Sequence, residues 1–486
     1  MLPHEFPRIG GGIDWIPKAD RQDHDEAVLA HADGKSGMMR AQEMLDWCLF
    51  GRIRPWVILI LLSLVVFVPG QRSIPPVDRD EARFVQASKQ MMERGDYIDI
   101  RFQNDARHKK PVGIYWLQTA AANMLGFGAE APIWVYRIPS LLGAIFAVLS
   151  TFWAGMALVD RKSAFLGAML TSVSLLVSVE AHLAKTDATL LAAIVVAFGC
   201  LARAYAAKSA TGLTWPVAAL FWFALGLGIL VKGPLILMAV GLALIVLLAA
   251  ERRAAWLNNL RPIWGVPLML MMVLPWFVAI YIKTDGAFFS ASIGNDLLGK
   301  AVGAQESHGA PPGTYLFLVG ILLWPFAPYL ALGIPQLWKE RKTASVRFLL
   351  AWAIPFWLAF EIFPTKLPHY ILPALPALAL LTGWLIMSGL PAAHKGWRGL
   401  VGWWMILLCA GIPIGLVGAG FWLAHAVDFV AVAGFTVAVA VAISGFLYLR
   451  RGAILPSVLM VLVCAALTLG TAFGRLLPGL EPVWVS

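Results

Sequence analysis

Apolar runs long enough to carry a helix across a bilayer recur along this 486-residue chain, and nothing else in it limits the fold so severely. They fall near 55–70, 133–159, 163–181, 188–206, 214–231, 235–250, 262–282, 313–333, 347–363, 370–389, 399–424, 428–449 and 453–474, which predicts about thirteen spans. Each must be helical, because a backbone amide in hydrocarbon has no water to bond. Prolines such as Pro234 and Pro275 do not disqualify such a helix, whose neighbours satisfy the freed groups. At 59% hydrophobic and 14% charged residues, with a mean hydropathy of +0.75, the chain holds more apolar surface than a water-soluble domain can bury. It reads as an all-α integral membrane protein.

The net charge of +10 and pI near 9.5 do not imply nucleic acid, because the positives follow the loops. One alternate set of short loops holds Arg161-Lys162, Arg203 and Lys208, Arg252-Arg253, Lys339-Arg341-Lys342, Lys395 and Arg398, and Arg450-Arg451. The opposite set holds only single lysines at 185, 232, 283, 300 and 366. The richer set, together with Arg52 and Arg54, is expected in the cytoplasm, which places the N-terminus inside and the C-terminus outside. Residues 1–50 read as a cytoplasmic extension, poorly ordered to Asp33, with Met38 to Phe50 either a helix along the inner surface or unstructured. Its polar start argues against a cleaved signal peptide. Residues 51–486 read as one transmembrane domain with no further domain after the last span. Of the four cysteines, three lie in apolar runs and Cys48 just before the first span, so they read as small hydrophobes.

The first outer loop, residues 71–132, breaks the charge rule, being outside yet rich in Arg and Lys. An anionic phosphate explains such positives. Asp78-Arg79-Asp80-Glu81-Ala82-Arg83-Phe84 packs three carboxylates and two guanidinium groups at the membrane surface, and His108-Lys109-Lys110-Pro111 follows in the same loop. Arg79 to Arg94 predicts an amphipathic helix with Asp80, Arg83, Phe84 and Ala87 on one face, ended by Gly95-Asp96. Asp99 to Arg107 reads as extended or turn, and Val112 to Leu125 as a second helix carrying Tyr115, Trp116 and Gln118. Lys110 sits at the start of that helix, where amides and an ammonium together favour an anion. On the predicted topology Glu180, His182, Lys185, Asp187, Lys232, Asn295, Asp296, Lys300, His308, Glu361, Lys366 and His369 all face the same outer side.

These pieces resemble the polyprenyl-phosphate-dependent glycosyltransferases of the GT-C fold, nearest the lipid A aminoarabinose transferases and their protein O-mannosyltransferase relatives. The resemblance is carried by Asp80-Glu81-Ala82-Arg83-Phe84, Lys110-Pro111 with Tyr115-Trp116-Leu117, Lys185-Thr186-Asp187, Leu230-Val231-Lys232-Gly233-Pro234, Pro275-Trp276-Phe277 and Thr365-Lys366-Leu367-Pro368-His369-Tyr370. It runs from about residue 55 to 390. It implies that Asp80 is the catalytic carboxylate, that Arg83 and Lys110 hold the lipid phosphate, and that Asp187 is a second catalytic acid. Glu81, Tyr115, Lys185, Lys366 and His369 are implied as possible neighbours. It also implies a bacterial inner membrane location with the active site facing the periplasm, and a monomeric enzyme. Phe84 departs from the tyrosine of the family, and the expected lack of a C-terminal periplasmic domain leaves the acceptor and the sugar open.

The implied reaction moves a sugar from a polyprenyl-phosphate donor to a lipid A, other glycolipid or glycan acceptor, with inversion at the anomeric carbon. Cations near the departing phosphate stabilise the transition state, and Asp80 takes the acceptor proton. Each residue has a plainer rival. Asp80–Arg83 is also a typical surface ion pair, Lys110 a headgroup anchor, Asp187 a helix cap, and Lys232 a helix end. No cofactor is expected; Asp78-x-Asp80 leaves a divalent ion open, although no Cys/His spacing for a metal is present. A protein O-glycosyltransferase of the same fold, a lipid or sugar flippase, and an envelope assembly protein are the alternatives. A transporter predicts charges at span centres and inverted repeats, which the chain does not show.

Overall fold

The computed structural model describes residues 36–207, 213–252, 254–292, 309–390, 395–424 and 428–480. The expected disorder before Asp33, and the outer-facing Asn295, Asp296, Lys300 and His308, lie outside the described residues. The architecture is helical throughout, with one two-stranded ribbon. In chain order the helices are α1 (Ser36–Leu49), α2 (Arg54–Phe67), α3 (Arg79–Arg94), α4 (Gly113–Met124), α5 (Ile133–Gly155), α6 (Arg161–Ser172), α7 (Leu175–Ala181), α8 (Asp187–Ala206), α9 (Trp215–Lys232), α10 (Leu235–Glu251) and α11 (Pro262–Thr284). Further long helices follow at Ala344–Ile362, Leu375–Met387, Lys395–Ala424, Phe429–Arg450 and Ile454–Thr471.

Among the described residues nine helices are long and apolar enough to span a bilayer, or up to eleven when each of two bent pairs counts as one. The expected thirteen is therefore not confirmed. The run at 55–70 is a 14-residue helix, about 21 Å long, joined at 103° to α1. The run at 163–181 breaks into α6 and α7 with a 56° bend, and that at 235–250 is 17 residues. The run at 313–333 is cut into Thr314–Phe317, Val319–Leu322 and the start of Ala327–Glu340, and Pro325, without an N–H, lies at the break before the last of these. Hydropathy marks apolar stretches; it does not detect where a helix bends.

The α1–α2 elbow fits a surface helix. Ala41, Leu45 and Leu49 are buried against the bundle, while Met39, Trp47 and Phe50 are exposed. Asp46 pairs with Lys162 at 2.7 Å, which fixes α1 to the start of α6.

Two clusters of polar contacts mark the ends of the bundle. At one end Tyr205, Glu251 and Arg347 join α8, α10 and Ala344–Ile362. The other polar cluster gathers around Asp187, at the opposite end of α8. The 20 residues of α8 separate them by about 30 Å, the thickness of a hydrocarbon core.

Candidate functional site

The first loop is built as its pattern predicts, with one shift of face. Asp78 caps α3 by accepting the Asp80 N–H at 2.7 Å, and Gly95 closes the helix in the left-handed conformation. The buried stripe of α3 is Glu81, Phe84, Ala87, Ser88 and Met91. Asp80 and Arg83 therefore lie on its edge, 49% and 28% exposed, with Oδ1 of Asp80 3.3 Å from the guanidinium. The stripe packs on α4, where Phe84 meets Tyr115 at 5.4 Å and the Ser88 hydroxyl lies 2.6 Å from Oε1 of Gln118. Between the two helices Arg101–Phe102 pairs antiparallel with Asp105–Ala106. His108 then contacts Asp99 at 2.9 Å.

Arg137, fully buried near the start of α5, positions this assembly. It binds both oxygens of Glu81, at 2.8 and 3.1 Å, and donates to the carbonyls of Gln71, Ile74 and Pro75. All five guanidinium hydrogens are thereby used. The Ala184 N–H donates to Glu81 as well. Glu81 is therefore a buried strut behind Asp80. Arg137 was missed in the sequence reading; the signal was an arginine just inside an apolar run.

Six ionisable side chains from four distant stretches meet beside the cap of α3. Asp78 binds Lys185 at 2.8 Å, and Asp187 binds Lys232. Glu180 lies 3.7 Å from Lys185 and 3.7 Å from His369, and His369 lies 3.9 Å from Asp187. Every member sits at or next to the end of its helix. Burial alone raises the Asp78 carboxyl, but the Lys185 ammonium, the Asp80 N–H and His369 outweigh it and hold the group below its usual range. Burial lowers the Lys185 ammonium, and the surrounding Glu180, Asp187 and Asp78 carboxylates more than reverse this.

The structure thus brings together the predicted Lys185, Asp187 and His369, and adds Asp78, Glu180 and Lys232. Asp187 opens α8 without capping it by its side chain, so the cap reading does not hold. Lys110 is half-buried in the loop before α4. A close approach places that loop against Lys232: a Cβ on Gly113 would lie 2.7 Å from the Leu230 carbonyl, and one on Gly233 would lie 3.9 Å from the Pro111 ring. Glycine at position 113 is what lets α4 start against the end of α9. Tyr115 is fully buried with its hydroxyl unpartnered among the described residues. Burial raises its phenol, and Arg107 works against that. Lys366 is elsewhere, donating to the carbonyls of Phe360 and Glu361 at 3.1 and 2.9 Å, where it closes the helix Ala344–Ile362. Glu361 accepts the N–H groups of Gly313, Tyr315 and Leu316. Among the described residues no three His, Cys, Asp or Glu side chains are grouped to hold a metal ion. An apolar crevice of about 430 Å³ borders Asp78, walled by Val77, Leu175, Val179, Trp324, Leu469 and Phe473.

The bundle has a GT-C-like fold, shown by superposition. Over 88% of this chain and 78% of its counterpart it superposes with the crystal structure of ArnT from Cupriavidus metallidurans bound to undecaprenyl phosphate, at a TM-score of 0.72 and 22% identity. Residues 57–286 match the model of the dolichyl-phosphate-mannose-protein mannosyltransferase family. The chain is also similar to the undecaprenyl phosphate-alpha-4-amino-4-deoxy-L-arabinose arabinosyl transferases of Pectobacterium carotovorum, 26% identical over 71% of this chain and 61% of the relative, and of Pseudomonas aeruginosa, 28% identical over 64% and 56%. It thus spans about three fifths of the length of these curated relatives.

Proposed function

We propose that this protein is an inverting membrane glycosyltransferase that moves a sugar from a polyprenyl-phosphate donor to an acceptor hydroxyl or phosphate at the outer face of the membrane. The observation that carries the proposal is the meeting of carboxylates and cations at helix ends beside α3 and α4. A transporter would set such groups near span centres.

Arg83 and Lys110 hold the donor phosphate, the first as a planar fork and the second as a point charge. They oppose the charge that grows on the phosphate as its bond to the anomeric carbon breaks. Asp80 takes the proton of the acceptor hydroxyl or phosphate on the opposite side of the sugar. Phosphate bound to Arg83 competes with Asp80 for that guanidinium and so frees the carboxylate. Asp187, held by Lys232, orients the reactants from the cluster of six ionisable side chains, which forms the floor of the site in this reading. The apolar crevice beside Asp78 supports a lipid-borne reactant. The acceptor is lipid A, as the aminoarabinose transferase likeness favours, or another envelope glycolipid or glycan. Protein as acceptor is the second reading, favoured by the mannosyltransferase-family match over residues 57–286.

The test is a reconstituted assay offering a panel of polyprenyl-phosphate sugars to lipid and protein acceptors, with Asp80→Asn as control. Turnover lost in a folded variant is expected. Near-normal turnover would remove Asp80 as the base, and no turnover by wild type with any donor would sink the glycosyltransferase reading.

A further inference from the structure

Two of the three carboxylates in the floor have an ammonium of their own: Asp78 takes Lys185 at 2.8 Å, and Asp187 takes Lys232. Glu180 has none. Its Oε1 stands 3.7 Å from both the Lys185 ammonium and His369 Nδ1, beyond hydrogen-bond reach. Its side chain is 5% exposed, and its Oε2 is buried with no hydrogen-bond partner among the described residues. His369 turns Nε2 toward Asp187 at 3.9 Å. An imidazole therefore stands between two buried carboxylates, one of which lacks a counter-charge.

A bare carboxylate in such surroundings takes up a proton or draws one onto its neighbour. Asp78 with Lys185, and Asp187 with Lys232, are each neutral as pairs. One proton on Glu180 or His369 then makes the whole floor neutral, whichever of the two carries it. We infer that Glu180 and His369 jointly hold one proton, and that this proton lets the floor accept the anionic donor, which makes Glu180 a positioning residue for donor binding. The link to the phosphate is Lys232, because its neighbours Leu230 and Gly233 lie close to Gly113 and Pro111, at the end of the loop that carries Lys110. Loss of the proton adds a negative charge that draws on Lys185 and Lys232 and repels a phosphodiester. The inference rests on the donor reading given above.

The test is binding of a short-chain polyprenyl methyl phosphate, a diester of constant charge, to the full chain in nanodiscs from about pH 6 to pH 9. Wild type should weaken as pH rises, by up to about tenfold per unit. Glu180→Gln, neutral throughout, should bind with a flat profile, and His369→Gln should move the midpoint. A wild-type slope in folded Glu180→Gln overturns the inference while the binding itself upholds the donor reading. If that variant does not fold, an unmoved midpoint in His369→Gln overturns it instead. No binding by wild type at any pH overturns the inference and the donor reading together.

Discussion

Asp80 and Lys110 have different work at the site, and their substitutions should separate in kinetics. Asp80→Asn keeps the shape of the side chain and removes the base, so kcat should fall by about 10²–10⁴-fold, while donor affinity should hold or tighten because Arg83 is released from its pair. Lys110→Ala removes one charge-assisted contact to phosphate, and donor affinity should weaken by about tenfold or more. Unchanged donor affinity would leave Lys110 a headgroup anchor. Asp78 predicts a pH effect. Its pairing with Lys185 holds its folded pKa below the unfolded value, so the stability it contributes is present above about pH 4 and is lost as pH falls through the lowered value. Thermal unfolding followed against pH should show a weaker acid dependence in Asp78→Asn than in wild type. Scarce charge in an apolar chain drew attention to the segments of Asp80, Arg83, Lys110 and Asp187, and the resemblance supplied the roles expected of them. Asp78, Glu180 and Lys232 were seen as outer-facing charges without being assigned to the site, because the sequence does not show that they meet.

At the scale of elements, the position of α3 depends on the Arg137–Glu81 pair, which ties the start of α5 to α3 and to the carbonyls of residues 71–75. Removing one partner leaves a buried charge, at a cost of about 3–5 kcal/mol. Arg137→Leu should therefore lower the thermal midpoint sharply in detergent, and adding Glu81→Leu should recover part of the loss. If the single and double variants unfold alike, the pair is not the strut described. Helices α3 and α4 were visible in the sequence from caps and spacing. Glu81 and Lys366 read as site neighbours, yet both serve the scaffold, since composition shows that a charge is near a site without showing which way it points.

For the whole molecule, the two polar clusters about 30 Å apart along α8 fit the two faces of a bilayer. We place the Tyr205–Glu251–Arg347 end in the cytoplasm, where the arginine-rich loops are, and the Asp187 end outside. A cysteine at exposed Gln103, in a Cys48→Ser background, should react with a membrane-impermeant maleimide in intact spheroplasts. Labelling only after lysis would reverse the topology. The amino-acid sequence alone established that the chain is a helical membrane protein and that charged side chains gather after its first apolar run, because hydrocarbon permits only closed hydrogen bonding and makes stray charge expensive. Which apolar runs bend short of a full span, and which acid finds which base, was decided by tertiary structure alone. The pairing follows from packing between segments distant in sequence, as with Asp78 and Lys185 more than a hundred residues apart, where no local pattern records the partner.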